Sequence, residues 1–576
     1  MKLREALETN REYASRDLPP FRVVLACGFN PLHLRTFLQA HLQSRLPARR
    51  IEINVGLYGD VWGAIEQVQK SAADGCAVVL EWQDLDPRLG YRLLGGWGRE
   101  STSNILAEVE QRLIRFQELI QKVAENVPVA VSGPTLRLPP LFHVPERQCG
   151  PDEARLQHAL SEFILWASQQ ANVRLLNQHW LDELVPAAAR FDMKSDLLAG
   201  IPHTPAYSDV LAQAIAGLLA PASPKKGLIT DLDGTLWKGI VGEIGAGAVS
   251  WDLTNHAQVH GLYQQVLQAL AEQGVLVGVA TKNDAEVVEE AFKRSDLLLK
   301  REQIFPLVSG WQPKSEAVQR ILRAWNISAD DAVFVDDSPM ELAEVQAAFP
   351  HLECVLFPTS ESSKFDKLLY GLRSRFAKER VTREDKLRRQ SLQGNDAFEA
   401  QTRRAPSYDD FLREAHAELS VEFVSAKVDP RSLELINKTN QFNLNGLRYT
   451  QTEWQRHAHQ ADTFVVSADY KDKYGPLGTI SVIKGRQENG TVYIDIWVMS
   501  CRAFSRRIEH QCLNVLFDHF KAQEVMLAFT PTPRNEPMRE FLASFSEGKP
   551  SGPMKLSKDM FREKCPPLYH RVKANG

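Results

Sequence analysis

Three short apolar stretches in the middle of the chain each end in residues that carry chemistry. The stretches GLITDLDGT, VLVGVAT and AVFVDD are separated by amphipathic helical patterns, as in a parallel α/β sheet. The carboxyl ends of such strands share one edge of the sheet, where open α/β folds bind ligands. We therefore expect the following side chains to meet there: Asp231, Asp233, Thr281, Asp336 and Asp337.

Lys314 follows Pro313 at a predicted helix start. Together these residues supply what phosphoryl transfer needs: a nucleophile, a proton donor, metal ligands and positive charge. Their order resembles that of the haloacid-dehalogenase superfamily. The resemblance implies Asp231 as nucleophile, Asp233 as general acid/base, Thr281 as a phosphoryl hydrogen-bond donor and Lys314 as the neutralising cation. It also implies a Mg²⁺ site formed by Asp231, Asp233, Asp336 and Asp337.

Only about 45 residues separate Asp231 from Thr281, too few for a large cap domain. A site without a lid admits bulky substrates or another protein, whereas phosphatases of small metabolites often close a cap over the substrate. The chain is also too long for one core, so we expect several domains, with the HAD-like phosphoryl-transfer domain at 224–375.

Residues 1–220 alternate strand and helix signals and are expected to form an α/β domain. The segment ACGFN after the first strand, and PHTPAYSDVLAQAIAGLLA near the end, resemble parts of SGNH hydrolases. Cys27 and His203 could form a residual site, but no secure Ser-His-Asp set is visible, and a docking or structural role is favoured.

Residues 376–415 are expected to form a charged helical linker, 416–550 a strand-rich α+β domain, and 551–576 a tail without clear pattern. The strand-rich domain at 416–550 looks like an N-acetyltransferase fold, whose cofactor loop usually reads R/QxxGxG/A. Here Ser505 and Arg507 occupy the glycine positions, so a pyrophosphate is obstructed. The cations Arg502, Arg506 and Arg507 could instead grip the single phosphate of a phosphopantetheine.

The extended motifs DLDGTLWKGIVGE, ATKND and FVDDSPMELAEV, with INKTNQFNLNGLRYT and MSCRAFSRRIEH, resemble the FkbH-like branch of the superfamily. That resemblance implies an enzyme that takes the glyceryl unit of 1,3-bisphosphoglycerate, a phosphorylated three-carbon substrate, and removes phosphate. It then loads the unit onto the phosphopantetheine of an acyl carrier protein, in polyketide or related biosynthesis. Many members have Asn in place of Gly234 and Gly in place of Ser505.

The simplest route to a thioester product is thiol exchange through a cysteine of the enzyme. Cys501 is the candidate, because cations and a predicted helix start lie close to it in sequence. Cys27 and direct transfer without an enzyme thioester stay open. Two other functions also remain: a phosphatase fused to an acetyltransferase, and a carrier-docking scaffold with an idle phosphatase site. Carboxylates crowded at a cost in repulsion argue against the scaffold.

A formal net charge of -4 gives no general attraction for nucleic acid or an acidic membrane, and neither is expected as a partner. The charged amino terminus lacks the apolar run of a signal peptide, so a cytoplasmic location is expected. The seven cysteines include no CxxC pair, which disfavours a structural zinc site or a disulfide framework.

Overall fold

The structure is a computed structural model that describes residues 1–98, 101–141, 144–358, 362–378, 381–402, 407–424, 430–458, 460, 462–546 and 548–575. The chain divides into two compact units, Met1–Ala222 and Ser223–Gly576. The division falls close to the predicted boundary at residue 220. None of the described helices is long and apolar enough to cross a membrane.

The first unit is a parallel α/β domain, as its alternating pattern predicts. Its strands are β1 Pro20–Ala26, β2 Arg50–Val55, β3 Gly75–Val79, β4 Val129–Ser132 and β5 Val173–Leu175. Its helices are α1 Leu3–Ala14, α2 Leu32–Arg45, α3 Val61–Lys70, α4 Trp82–Leu85, α5 Thr102–Ala124, α6 Pro151–Gln169, α7 Gln178–Leu184, α8 Met193–Ala199 and α9 Pro205–Leu219. The described strands form one sheet in the order β2-β1-β3-β4-β5 with every pair parallel. Apolar side chains form a core on each side of it.

The second unit begins with the central domain, whose five described strands form a second parallel sheet. The strands are β6 Gly227–Thr230, β7 Leu276–Thr281, β8 Ile304–Ser309, β9 Ala332–Asp336 and β10 Glu353–Leu356, in the order β10-β9-β6-β7-β8. The helices are α10 Val241–Ile244, α11 Gln258–Glu272, α12 Ala285–Phe292, α13 Lys314–Trp325, α14 Pro339–Ala348 and α15 Ser362–Phe376. All strand pairs are parallel, so the strand ends that carry the predicted residues share one edge, as predicted.

Helix α13 is fixed on this sheet by its last residue, Trp325, which is 2% exposed. The indole ring lies over Gly227 of β6, where an added Cβ would come within 2.4 Å of the ring atom Cζ3. Its Nε1 donates a hydrogen bond of 2.5 Å to the carbonyl oxygen of Phe305. Glycine is therefore required under the ring, and this close packing sets the position of the helix that begins with Lys314.

The remaining described residues form the predicted helical linker and the strand-rich α+β domain. The helices are α16 Arg383–Thr402, α17 Tyr408–Glu414, α18 Pro430–Lys438, α19 Gln451–Ala458, α20 Ile508–His519, α21 Glu536–Ala543 and α22 Lys558–Lys564. The strands are β11 Glu418–Val424, β12 Phe442–Asn443, β13 Thr463–Asp472, β14 Gly475–Glu488, β15 Thr491–Met499, β16 Glu524–Leu527, β17 Met554–Ser557 and β18 Arg571–Asn575. They form one mixed sheet in the order β17-β16-β15-β14-β13-β11-β18, with β12 beside β15.

Two features of this region differ from the sequence-based expectation. The segment 551–576 contributes β17, which pairs with β16, and β18, which pairs with β11, and so belongs to the sheet. Helix α16 packs against β14 and buries Asp385 and Ser391, so it is more than a solvated connector. Short elements rich in Lys and Arg hide such pairings, because period-2 apolar alternation is weak in them.

Candidate functional site

The predicted acidic residues of the central domain lie together at the carboxyl edge of its sheet. Asp231 directly follows β6, and its backbone N–H bonds to the carbonyl of Val335 at 3.0 Å, which continues the pairing with β9. Asp336 is the last residue of β9. The Asp231 and Asp336 side chains are 10% and 0% exposed, so both carboxylates are largely withdrawn from water.

Lys314 connects these carboxylates. Its Nζ lies 2.6 Å from Asp231 Oδ1, 3.0 Å from Asp336 Oδ2 and 3.1 Å from Glu341 Oε2. The same Nζ donates to the carbonyl of Ala280 at 2.9 Å. The Lys314 side chain is only 2% exposed. One buried cation therefore faces three carboxylates, and buried charges of this kind persist only when they are paired.

Burial raises the pKa of Asp231 and of Asp336 above the usual range of aspartate, although Lys314 acts in the opposite direction. Burial alone would lower the pKa of Lys314, but the charges of Asp231, Asp336 and Glu341 outweigh it and the pKa is raised. For Glu341, burial is outweighed by Lys314 and Lys282, so its pKa is lowered. Three carboxylates here share two lysine cations, those of Lys314 and Lys282, so a further cation would be favoured when all three are ionised.

Glu341 is the site residue that sequence reasoning missed. Ligand atoms of Asp231, Asp336 and Glu341 lie within 4.8 Å of one another, an arrangement that can hold a metal ion. Lys282 also holds Glu341, with Nζ 3.0 Å from Oε1. The spacing signal was present, because Glu341 lies in the first turn of α14, the helix that begins three residues after Asp336.

Asp337, the fourth predicted metal residue, does not belong to that group of three. Burial raises its pKa. Its carboxylate lies against Gly234, where an added Cβ would come within 2.2 Å of Oδ2, and Gly234 has a φ of 71°. The glycine therefore permits both the left-handed turn and the approach of Asp337. An asparagine, as in many FkbH-like proteins, would require the Asp337 side chain to move.

Asp233 is held by groups other than those that bind Asp231. Its Oδ1 accepts hydrogen bonds from Trp237 Nε1 at 2.7 Å and from the backbone N–H of Val241 at 3.0 Å. Its Oδ2 accepts one from Asn283 Nδ2 at 2.8 Å. These donors fix the carboxylate in one orientation, as a general acid/base requires. A carboxylate oxygen can accept two bonds, so Oδ2, with this one described hydrogen bond, could still bind a metal ion, although Asp233 is not in the group of three.

Thr281 ends β7, as predicted, and is 2% exposed. Its Oγ1 accepts a hydrogen bond from Asn283 Nδ2 at 2.9 Å. Because the oxygen is already an acceptor there, the hydroxyl hydrogen remains available for another oxygen. Asn283 therefore links Thr281, the predicted hydrogen-bond donor to the phosphoryl group, with Asp233, the predicted general acid/base. Sequence reasoning gave Asn283 no role.

The entrance to this site carries no cap domain. Every residue between β6 and α11 is described, and the connection contains the four-residue helix α10 and turns. Exposed apolar side chains follow strands at the same edge of the sheet: Trp311, in the loop after β8, is 72% exposed, and Met340, in the first turn of α14, is 77% exposed. An open, partly apolar entrance agrees with the expectation of a site accessible to a large substrate.

The structure places Cys501 and the three predicted arginines in different surroundings. Cys501 Sγ accepts a hydrogen bond from Asn326 Nδ2 of the central domain at 2.9 Å. Burial raises the pKa of the Cys501 thiol, more than Arg502 and Lys226 lower it. Desolvation thus outweighs the neighbouring cations, which on their own would lower the pKa and raise the thiolate fraction. The proposed role of Cys501 in thioester formation stays a prediction.

Arg506 and Arg507 are occupied within the protein. Arg506 is 1% exposed, with Nε 3.4 Å from Asp472 Oδ2 and its guanidinium 3.8 Å from the centre of the Phe398 ring. Arg507 Nη2 lies 2.6 Å from Asp409 Oδ1. Both guanidinium groups thus already have carboxylate partners, which sequence alone did not reveal. Their predicted grip on a phosphate stays a prediction and would require these ion pairs to be shared.

The loop between β15 and α20 has the backbone of a glycine-containing loop without the glycines. Ser505 has a φ of 60° and Arg507 a φ of 58°, both in the left-handed region. These are the two positions at which the acetyltransferase pattern has small residues. Both residues therefore adopt a backbone conformation that glycine adopts most readily, while their side chains occupy the space that glycine would leave open.

In the first unit, Cys27 and His203 do not interact as a nucleophile and its base. Cys27 Sγ donates to the carbonyl of Phe29 at 3.5 Å, and burial raises its pKa strongly. His203 Nε2 lies 3.0 Å from Glu81 Oε1, and the Phe29 and His203 rings pack at 4.7 Å. Glu81 Oε2 also accepts from the backbone N–H of Thr135 at 3.0 Å. These buried contacts support the structural role over a residual active site.

A model of the haloacid dehalogenase-like hydrolase family matches residues 253–348. The match includes Thr281, Lys314, Asp336 and Glu341 and begins after Asp231. Together with the sheet and its strand-end residues, it identifies the central domain as a haloacid dehalogenase-like hydrolase domain. The match covers a part of the chain, and the FkbH-like, SGNH and acetyltransferase assignments stay predictions.

Two solved structures are similar to the chain to different degrees. The N-terminal part of protein BF1531 from Bacteroides fragilis, which contains a phosphatase domain and was crystallised with Mg, is 19% identical with a TM-score of 0.52. The alignment covers 66% of this chain and 100% of that one, and it shows a shared fold. An uncharacterised protein from Corynebacterium glutamicum is 17% identical over 27% of this chain and 98% of its own, and its TM-score of 0.19 supports no argument. No curated protein matches the chain.

Proposed function

We propose that the chain is a Mg²⁺-dependent enzyme that takes a glyceryl unit from 1,3-bisphosphoglycerate, removes phosphate and loads the unit onto the phosphopantetheine of an acyl carrier protein. The observation that carries the phosphoryl-transfer part is the buried cluster in which Lys314 lies 2.6 Å from Asp231 Oδ1 and 3.0 Å from Asp336 Oδ2. The glyceryl and carrier parts are supported by the resemblance of the motifs to the FkbH-like family.

In the proposed reaction, a carboxylate oxygen of Asp231 attacks phosphorus while the bond from phosphorus to the leaving oxygen breaks. The leaving oxygen is the C3 oxygen of the phosphate ester, so the acyl phosphate at C1 is kept for the later transfer to a thiol. Asp233 donates a proton to that leaving oxygen, and the products are an aspartyl phosphate and a free C3 hydroxyl group. A water molecule then attacks the aspartyl phosphate as Asp233 accepts its proton, which frees phosphate and restores both carboxyl groups. Lys314 and the Thr281 hydroxyl stabilise the charge on the phosphoryl oxygens.

The residues present fit Mg²⁺, which prefers carboxylate and other oxygen ligands. Asp231, Asp336 and Glu341 offer three such oxygens within 4.8 Å of one another. A Mg²⁺ ion bound there would offset the charge that gathers on the transferring phosphoryl group. The presence of Mg in the BF1531 phosphatase structure, which shares the fold, supports this choice.

Transfer of the glyceryl unit to the carrier requires a thiol to displace the activating group on its carbonyl carbon. We propose the phosphopantetheine thiol of the carrier as the final acceptor, with Cys501 as the candidate for an intermediate thioester. Its raised pKa lowers the fraction of thiolate at neutral pH, so direct transfer to the carrier thiol is the simpler route. The open entrance of the site supports access by a carrier protein.

A second function, a phosphatase fused to an acetyltransferase, is favoured by the left-handed backbone at Ser505 and Arg507. That conformation matches the loop that cradles a pyrophosphate in acetyltransferases. The two functions differ in their ligand. Calorimetry with acetyl-CoA and with holo and apo carrier proteins separates them, because tight acetyl-CoA binding without preference for the holo carrier would support the acetyltransferase.

The test of the proposed function is intact-protein mass measurement after incubation with Mg²⁺, 1,3-bisphosphoglycerate and holo or apo carrier proteins. We expect the mass of one glyceryl unit on the holo carrier alone, together with release of phosphate. Asp231→Asn should abolish phosphate release with the fold intact, and Asp366→Asn, at an exposed position of the same domain, serves as the matched control. Turnover of Asp231→Asn within about tenfold of the parent would exclude Asp231 as the nucleophile.

A further inference from the structure

Arg502 differs from the other two predicted phosphate-binding arginines because no carboxylate of the described residues forms an ion pair with it. It lies in the turn that follows β15, where its Nε is 3.4 Å from Ser500 Oγ, a weak hydrogen bond. Its Nη1 is buried and has no hydrogen-bond partner among the described residues. A buried N–H of a charged group without an acceptor destabilises the fold, so an unpaired donor of this kind in a native structure indicates a bound ligand or another functional role.

Two more arginines lie on the elements packed around this turn. Helix α16, which carries Arg388, packs against the turn 501–503 and against β14, and α18, which carries Arg431, packs against β14 and β15. Arg431 Nη1 lies 2.7 Å from Glu434 Oε2, while its Nε is buried and has no partner in the described part of the chain. Arg388 Nη2 lies 2.7 Å from Asp385 Oδ1.

The electrostatic effect of these neighbours agrees with an excess of positive charge. Burial, followed by the charges of Arg431 and Arg388, lowers the pKa of the Arg502 guanidinium to about 10, and Cys501 and Glu384 oppose this only in part. Arg502 therefore stays protonated at neutral pH, next to two other guanidinium groups. Such a place becomes more stable when an anion enters it.

We propose that Arg388, Arg431 and Arg502, called the arginine cluster from here on, form a binding site for a phosphate group. Planar guanidinium groups present parallel N–H donors that match the oxygens of a phosphate. A phosphate offers several acceptors in different directions, which suits donors that arrive from a turn and two helices. The unpartnered Nη1 of Arg502 and Nε of Arg431 are the donors that it would satisfy.

Two sources can supply such a group: free phosphate, or the phosphodiester of a carrier's phosphopantetheine. Arg502 of the cluster directly follows Cys501, whose thiol contacts Asn326 of the central domain. A carrier arm held by the cluster would therefore lie beside both domains of this unit. The identification of the carrier arm as the occupant rests on the proposed function. The phosphate site itself does not depend on it.

The experiment is equilibrium dialysis of the full chain with radioactive inorganic phosphate, at constant ionic strength. The variants are Arg502→Gln, Arg431→Gln and, as a matched control, Arg534→Gln at an exposed position of the same domain. Loss of charged hydrogen bonds should raise the dissociation constant of one class of sites at least about tenfold in the two cluster variants. The control should bind phosphate as the parent does. Circular dichroism verifies that each variant is folded, and Arg431→Gln replaces Arg502→Gln if the latter fails to fold.

A second measurement identifies the source. If the carrier arm occupies the cluster, Arg502→Gln weakens the binding of holo carrier but not of apo carrier, and phosphate competes with the holo form. If holo carrier binding is unchanged while phosphate binding is lost, the site serves free phosphate. Unchanged phosphate binding in both folded cluster variants would overturn the proposal. Failure of the proposed function is seen separately, as absence of glyceryl mass on the holo carrier in the parent protein.

Discussion

Replacement of Lys314 by methionine tests whether one buried cation holds the acidic cluster together. Methionine has a similar length and no charge, so the change removes three contacts of 2.6, 3.0 and 3.1 Å to Asp231, Asp336 and Glu341. With an effective dielectric constant of about 20, each contact has a gross attraction of roughly 5 to 6 kcal/mol. Desolvation offsets most of this, and removal of one partner of a buried ion pair costs about 3 to 5 kcal/mol. We expect a loss of that size in the free energy of unfolding of the central domain without metal.

The loss should depend on pH in a defined direction. The pKa values of Asp231 and Asp336 are already raised in the folded state with Lys314 present, and its removal raises them further. A carboxyl group with a raised folded pKa is stable in its protonated form, so its stabilisation is present at low pH and lost as the pH rises through the folded pKa. The deficit of Lys314→Met should therefore be small in acid, grow towards neutral pH, and shrink again when Mg²⁺ is added.

The assay is hydrogen exchange in urea, read on peptides that contain β6, β7 and β9, because these report the central domain separately from the rest of the chain. Lys293→Met, at an exposed lysine that contacts Glu290, is the control and should show no measurable change. Lys314→Met with Glu341→Gln should recover part of the loss, since one of the repelling carboxylates is gone. An equal stability of Lys314→Met and the parent at neutral pH would refute the reasoning.

Three further predictions follow from the contacts of single residues. Glu341→Gln should weaken Mg²⁺ binding about 10 to 100-fold by calorimetry, and more than Asp337→Asn does, whereas the reverse order would restore the sequence-based metal set. Trp237→Phe removes one of the donors to Asp233 and should lower kcat for phosphate release about tenfold with KM little changed; an unchanged kcat contradicts a positioning role. Burial lowers the pKa of His570 to about 4, so stability should fall by about 2 to 3 kcal/mol as the pH drops from about 6.5 to 4, and His570→Gln should flatten that change in thermal unfolding.

The sequence predicted where the acidic residues and Lys314 of the central domain lie, because their positions follow from local patterns. Each of Asp231, Thr281 and Asp336 lies at the end of an apolar run, and a parallel sheet brings such ends to one edge regardless of the details of packing. Lys314 could be found in the same way, as the first residue of a helix after Pro313. The alternation of strands and helices predicts a parallel sheet, and the parallel sheet places these strand-end residues at one edge.

Sequence reasoning missed Glu341 and Asn283, because spacing can only make Glu341 a candidate and the direction of a side chain in three dimensions decides whether it faces the site. Glu341 occupies the first turn of α14, where an acidic residue is commonly explained by the helix dipole alone. Only its distance of 3.1 Å to Lys314 Nζ shows that it faces the site. Asn283 follows the strand-end threonine by two residues and resembles an ordinary turn residue.

The arginines of the carboxyl-terminal domain were easy to find in the sequence, but their partners were not. Arg506 and Arg507 were conspicuous as a pair, yet their partners, Asp472 and Asp409, are about 34 and 98 residues away in sequence. Arg502 looked the least unusual of the three and is the one with an unpartnered buried donor. The charges close to an arginine in sequence do not show whether it is paired, since ion pairs also form between segments that are distant in sequence.

The two carboxylates that leave β6 have separate surroundings, and this separation gives them different chemistry. Asp231 lies at the edge of the sheet, and Asn283 places Asp233 there too, because its Nδ2 donates to both Thr281 Oγ1 and Asp233 Oδ2. Asp231 contacts Lys314 and belongs to the excess negative charge that attracts a metal ion, which suits a nucleophile. Asp233 instead receives hydrogen bonds from Trp237, Val241 and Asn283, and no ion pair holds it among the described residues. The three donors fix the orientation of the Asp233 carboxylate, which supports its proposed role as the group that passes a proton. The contact with Lys314 supports the proposed role of Asp231 as the attacking carboxylate.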